Sequence, residues 1–143
     1  PAVVAARKME ELTGAPAVAL ELPDGRMITG RNGELLGPSA AVLLNAIKEL
    51  AGIPHERHII SPSAIEPIQK LKTQYLGSKN PLLHTDEVLI ALSATASENE
   101  DAALALAQLP ALKGSQIHSS VMLTAVDRRM FHKLDCDVTC EPR

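Results

Sequence analysis

With 143 residues, 45% of them hydrophobic, the chain has enough apolar side chains for one core of ordinary domain size. Tyr75 and Phe131 are the only aromatic residues, so that core is aliphatic and the stacking platforms of single-stranded nucleic-acid binders are excluded. The net charge is −3 with acids and bases interspersed, so no basic stripe releases counterions from a duplex, and no apolar run approaches the ~20 residues of a membrane span. Neither nucleic acid nor membrane is an expected partner.

Val3 to Leu12 has the apolar spacing of a short amphipathic helix, closed by Gly14. Ala17 to Leu22 alternates and predicts a strand, Pro23-Asp24-Gly25-Arg26 predicts a tight turn, and Arg26 to Gly30 predicts the returning strand. A glycine-bearing loop leads to Pro38. The spacing of Gly30, Gly33 and Gly37 fits neither the dinucleotide fingerprint nor the P-loop, although backbone amides at Ser39 open a helix where an anion can bind.

Ser39 to Leu50 is apolar nearly all round, with Asn45, Lys48 and Glu49 as exceptions, and predicts a buried helix ended by Gly52. His58-Ile59-Ile60 predicts a short strand. Ser63 to Tyr75 predicts a helix opened by a Ser63-x-x-Glu66 capping box, with Pro67 near its start. After the turn Gly77-Ser78-Lys79-Asn80-Pro81, helices are predicted over Thr85 to Ala96, with Thr85 as N-cap, and over Glu98 to Leu109, opened by a capping box in Ser97-Glu98-Asn99-Glu100. Gln116 to Leu123 predicts a strand, Ala125 to Leu134 a helix capped by Thr124, and Cys136 to Cys140 a last strand. Strand geometry sets Cys136 and Cys140 roughly 13 Å apart on one face, too far for a disulfide, so both are expected as structural thiols.

Helical crossovers make parallel strands, and they are right-handed. The expected fold is therefore a single α/β domain over residues 1–143, a three-layer α/β/α sandwich. It has one mixed five-stranded sheet in which the Ala17–Gly30 hairpin is the only adjacent antiparallel pair.

Three segments carry a resemblance to a known family. They are Leu76-Gly-Ser-Lys-Asn-Pro-Leu-Leu-His-Thr-Asp-Glu-Val-Leu-Ile-Ala-Leu-Ser93, His118-Ser-Ser-Val-Met-Leu123, and Leu134 through Thr139 to Glu141-Pro142. From about Ala17 to Pro142 the chain resembles the C-terminal part of the bacterial domain of unknown function 1846 family, also called uncharacterised protein family 0371. The resemblance implies a C-terminal domain of a longer cytoplasmic chain, with an upstream domain as partner and homo-oligomers as a further expectation. Pro1 in place of Met points the same way.

The element order also resembles the cytidine-deaminase-like topology, without its zinc motifs. Gly37-Pro38-Ser39, ahead of Asn45-Ala46-Ile47, stands where a His/Cys-x-Glu motif would sit. Ser61-Pro62-Ser63-Ala64-Ile65-Glu66 stands where Pro-Cys-x-x-Cys would sit. Zinc deamination needs three N or S ligands and a proton-shuttling Glu, which Gly37, Ser63, Glu66 and Ser39 do not supply, so no metal and no cofactor are expected.

Candidate chemistry then falls on two histidines and their neighbours. Asp86 and Glu87 sit where carboxylates favour a helix N-terminus, but Lys79, Asn80 and His84 have no such structural task. They form a polar corner suited to a small anion. His118 shares a strand face with Ser120 and Met122, so adjacent Ser119 points away and cannot be its nucleophile. The candidate ligand-binding residues are Lys79, Asn80, His84, His118, Ser39 and Ser61. Two functions follow: a non-catalytic accessory or interdomain-cleft domain, or a part of an active site for a small anionic or nucleotide-like ligand. Convergence of residues 79–87 with His118 on one pocket would favour the second.

Overall fold

The computed structural model describes residues 1–142. The elements run α1 (Ala2–Thr13), β1 (Ala17–Glu21), β2 (Met27–Arg31), α2 (Pro38–Ala51), α3 (Pro62–Lys70), α4 (Thr85–Ala96), α5 (Glu100–Leu106), β3 (Gln116–Ser119), α6 (Ala125–Lys133) and β4 (Asp137–Cys140). Their ends follow local chemistry. Gly14 at φ 69° and Gly52 at φ 72° close α1 and α2 in the left-handed region, where a side chain would be strained. Pro38 begins α2, where its missing N–H costs nothing. A π-helical turn over Leu71–Tyr75 extends α3, whose interior holds Pro67 and so lacks one backbone donor.

The sheet has four strands in the order β2-β1-β3-β4, not five. His58 to Ile60 is not a strand. Ile59 and Ile60 are both buried, so two consecutive side chains turn inward, and a pleat facing one core cannot do that. The hairpin is not the only antiparallel pair either: β1 pairs antiparallel with β2 and also with β3, through Val18↔Ser119 and Leu20↔Ile117. The crossover rule still holds. β2 and β3 run in one direction, but β1 lies between them, and the β3–α6–β4 unit gives the adjacent parallel pair.

Helices cover both faces of this sheet. Val18, Leu20 and Ile117 face a large core with α2, α4, α5 and Phe131 of α6, whereas Ala19 turns to the other face, against Ala2 and Ala6 of α1. Leu43 of α2 is fully buried in the large core, while Leu44 on the adjoining face borders an open cleft. Leu43→Ala is expected to cost about 2–5 kcal/mol in chemical denaturation, and Leu44→Ala to fall at or below the lower end. Losses under about 1 kcal/mol for both would make α2 peripheral.

Candidate functional site

The start of α4 is built by residues from three parts of the chain. The N-cap is His84, not Thr85 as its residue type suggests, and the His84 N–H donates to the Glu87 carboxylate at 2.8 Å. Glu87 also receives the Lys72 ammonium at 2.9 Å, and that ammonium donates to the Leu82 carbonyl at 2.6 Å. Thr85 is fully buried and turns across to α6, where its N–H and its hydroxyl donate to Asp127 Oδ1 at 2.9 and 2.7 Å. The other Asp127 oxygen lies 3.6 Å from His84 Nδ1. A buried carboxylate thus lies beside a partly exposed imidazole, at ion-pair and not hydrogen-bond distance.

Lys79 and Asn80 lie in the exposed turn before this corner. Asn80 is spent locally: its Oδ1 accepts from the Leu82 N–H at 3.0 Å, and its own N–H donates to the Ser78 hydroxyl at 3.2 Å. Ser39 is two residues into α2, buried, with a hydroxyl that makes no hydrogen bond. It is tied to the α4 start only indirectly, through the bridge of Leu36 to Leu83 and the Gly37 N–H to Leu83 carbonyl bond at 3.1 Å. Ser61 is the exposed N-cap of α3. Its hydroxyl meets Ser63 Oγ at 2.9 Å and makes no cap bond to the helix, so the predicted Ser63–Glu66 capping box does not form. The cap of α5 likewise moves, to Asn99, which accepts from the Ala102 N–H at 3.0 Å.

His118 stands elsewhere. It pairs with Ala19 across the strands, so it lies on the α1 face of the sheet, opposite the core that α4 helps to close. There its Nδ1 meets the Thr139 hydroxyl at 2.6 Å, and Nε2 lies 3.7 Å from Glu141. The Glu141 carboxylate is held below its usual range by its hydrogen bond from the Arg7 guanidinium and by the charge of that group. His84 and His118 therefore do not converge.

Neither cysteine is paired. Burial, with Asp135 and Asp137 beside it, pushes the Cys136 thiol up to about 11, which leaves it a poor nucleophile. Among the described residues no group of three or more His, Cys, Asp or Glu side chains is placed to hold a metal ion. No helix among them is long and apolar enough to cross a membrane.

A cleft of about 430 Å³ opens between the 31–36 loop, one face of α2 and the 55–65 segment; none of the candidate residues lines it, although Ser61 lies between its lining residues Ile60 and Pro62. Lys48 of α2 stands in its wall. Asp127 and Lys48 are the functional candidates that sequence reasoning passed over. Lys48 had a visible signal, the one cation on a largely apolar helix, whereas nothing local in the sequence singles out Asp127, whose partner Thr85 lies on another helix.

Over residues 1–143 the chain matches the family described as "Domain of unknown function DUF1846, C-terminal". Among curated relatives, it is similar to the UPF0371 protein of Corynebacterium urealyticum, with 56% identity over 99% of this chain. The UPF0371 proteins of Streptococcus uberis and Corynebacterium glutamicum are 54% and 55% identical over 97% and 99% of it. The chain spans 28% of the length of each of these relatives.

Proposed function

The chain belongs to the C-terminal DUF1846 family, and from that premise we propose that it is a non-catalytic accessory domain of a larger bacterial protein, supplying one wall of an interdomain cleft. The observation that carries this reading is the dispersal of its chemically able side chains. His118 is under α1, His84 is on the other side of the sheet, Ser39 is buried, and Ser61 is exposed at the start of α3, away from Lys79 and Asn80 in the turn before α4. An exposed apolar surface supports it further. Leu71, Tyr75 and Leu76 at the end of α3 are 48%, 70% and 72% exposed, and such clustered side chains suit contact with another part of the protein or with a second copy. The upstream part of the same chain is the proposed partner, and cytoplasm the proposed location. The likeness to a deaminase-like topology rests on the hairpin followed by α2. Without a strand at 58–60 it bears on fold alone.

Expressing this domain and the remaining length of the protein as two polypeptides tests the reading. The two halves are expected to copurify, and Tyr75→Glu with Leu76→Glu is expected to weaken that association. Two halves that ignore each other would refute it.

A second reading, a share of an active site for a small anionic or nucleotide-like ligand, is favoured by one observation, the His84–Asp127 pair. Here His84 acts as a base oriented by Asp127, on a site completed from outside the domain. Lys79→Ala with His84→Ala in the full-length protein separates the readings. Unchanged activity and ligand-induced thermal shifts leave the accessory role, and loss of either with stability intact supports the site.

A further inference from the structure

Two lysines are buried among the described residues, each 7% exposed, and only one of them is neutralised. Lys72 meets the Glu87 carboxylate at 2.9 Å. Lys48 has as its hydrogen-bond partner the His55 carbonyl, at 2.7 Å, and forms no ion pair among the described residues. An ammonium carries three donors, so two of those of Lys48 have no protein partner among the described residues and are free for a group in the cleft. Burial lowers its pKa from the usual lysine value, and the attraction of Glu56 opposes that only in part.

The surroundings of Lys48 are those of a ligand site. It lines the cleft on the same α2 face as Ala41, Leu44 and Asn45, whose amide is turned to the Thr29 carbonyl, with Ile59, Ile60 and Ile65 also in the lining. Arg31, His55 and His58 also line the cleft, and Glu34 is the one acid among its lining residues. The volume, about 430 Å³, falls within the roughly 300–1,000 Å³ of small-molecule sites. We propose that this cleft binds a small organic monoanion, a carboxylate on an aliphatic body such as a medium-chain fatty acid. The carboxylate meets Lys48 and Arg31, and the hydrocarbon lies over the isoleucines and leucines. A phosphate is a poorer match. The amides of the adjoining loop that a phosphate cradle would use are committed, Gly33 N–H to the Leu36 carbonyl at 3.1 Å and Gly37 N–H to the Leu83 carbonyl at 3.1 Å. The lining is largely aliphatic and has no Phe, Tyr or Trp, which favours a flexible chain over a flat ring.

The test is calorimetric titration of the full-length protein with octanoate, beside octanol and octylamine. Octanoate is expected to bind roughly tenfold or more tightly than either, because both lack the charge that Lys48 and Arg31 meet. Lys48→Met is expected to weaken octanoate by roughly tenfold or more and to leave octanol unchanged. Arg31→Gln, at an exposed position that does not threaten the fold, is expected to weaken octanoate in the same direction and decides the matter if Lys48→Met does not fold. Leu44→Phe, which narrows the cleft, is expected to weaken every chain. The proposal is overturned if octanoate does not bind at millimolar concentration, as when another segment of the protein covers the cleft. It is overturned equally if octanol binds as well as octanoate, or if the charge variants leave octanoate binding unchanged.

Discussion

Replacing Gly30 with alanine is expected to destabilise the protein by about 3 kcal/mol or more, at the upper end of what overpacking costs. Gly30 lies in β2, paired with Val18, and α2 crosses directly over it. A methyl group there would overlap the Val42 backbone and approach the Pro38 carbonyl oxygen to 2.7 Å. Both neighbours are main chain, so no side chain can swing aside. Retreat of the helix is also resisted, because the Gly37 N–H is bound to Leu83 and the Asn45 amide to the Thr29 carbonyl at 2.9 Å. Gly33→Ala is the control: its nearest neighbour would be the Leu36 oxygen at 3.9 Å, so a change within about 0.5 kcal/mol is expected. Urea denaturation of both variants, followed by circular dichroism, measures the contrast. Equal stability would mean that α2 does not pack on β2 as described.

Gly30 also marks how far the sequence carries. In sequence it reads as the end of a returning strand and the first of three spaced glycines, whereas its task is close approach between that strand and a helix, which depends on contact with Pro38 and Val42 farther along the chain. Features set by neighbouring residues were legible. The glycine stops of α1 and α2, the Asp24-Gly25 turn with Gly25 at φ 95°, and the Thr124 cap of α6 all form where local chemistry places them. Features decided by competition across space were not. Thr85 has good capping chemistry, but the buried Asp127 claims its hydroxyl, and the cap passes to His84. Ile59 and Ile60 have good strand propensity, but the place beside β1 goes to β3, and the isoleucines turn inward instead. The candidate site divided in the same way. The polar character of His84 was visible, but its partner lies more than forty residues away on another helix.

Asp127→Ala is the second large effect, with an expected loss of about 3 kcal/mol. The carboxylate sits in the first turn of α6 and reaches across to the first turn of α4, so it faces the positive ends of two helices at once. Its Oδ1 accepts both the N–H and the hydroxyl of Thr85, a residue with no exposed surface. Truncation leaves two buried donors without an acceptor, each costing about 1–3 kcal/mol, and water cannot reach them unless the helices part. Asp127→Asn keeps an acceptor oxygen and loses only the charge, so its cost is expected to be closer to about 1 kcal/mol. Removing the other side separates hydrogen bonding from packing. Thr85→Val deletes the hydroxyl and keeps the shape, and combined with Asp127→Ala it is expected to cost less than the sum of the single changes, because one lost donor is counted in both. Strict additivity in this cycle, or an alanine variant as stable as the parent, would show that the α4 start is held by packing and not by Asp127. It would also remove the support for a His84 oriented by Asp127, since the carboxylate that binds Thr85 is the one that lies 3.6 Å from the imidazole.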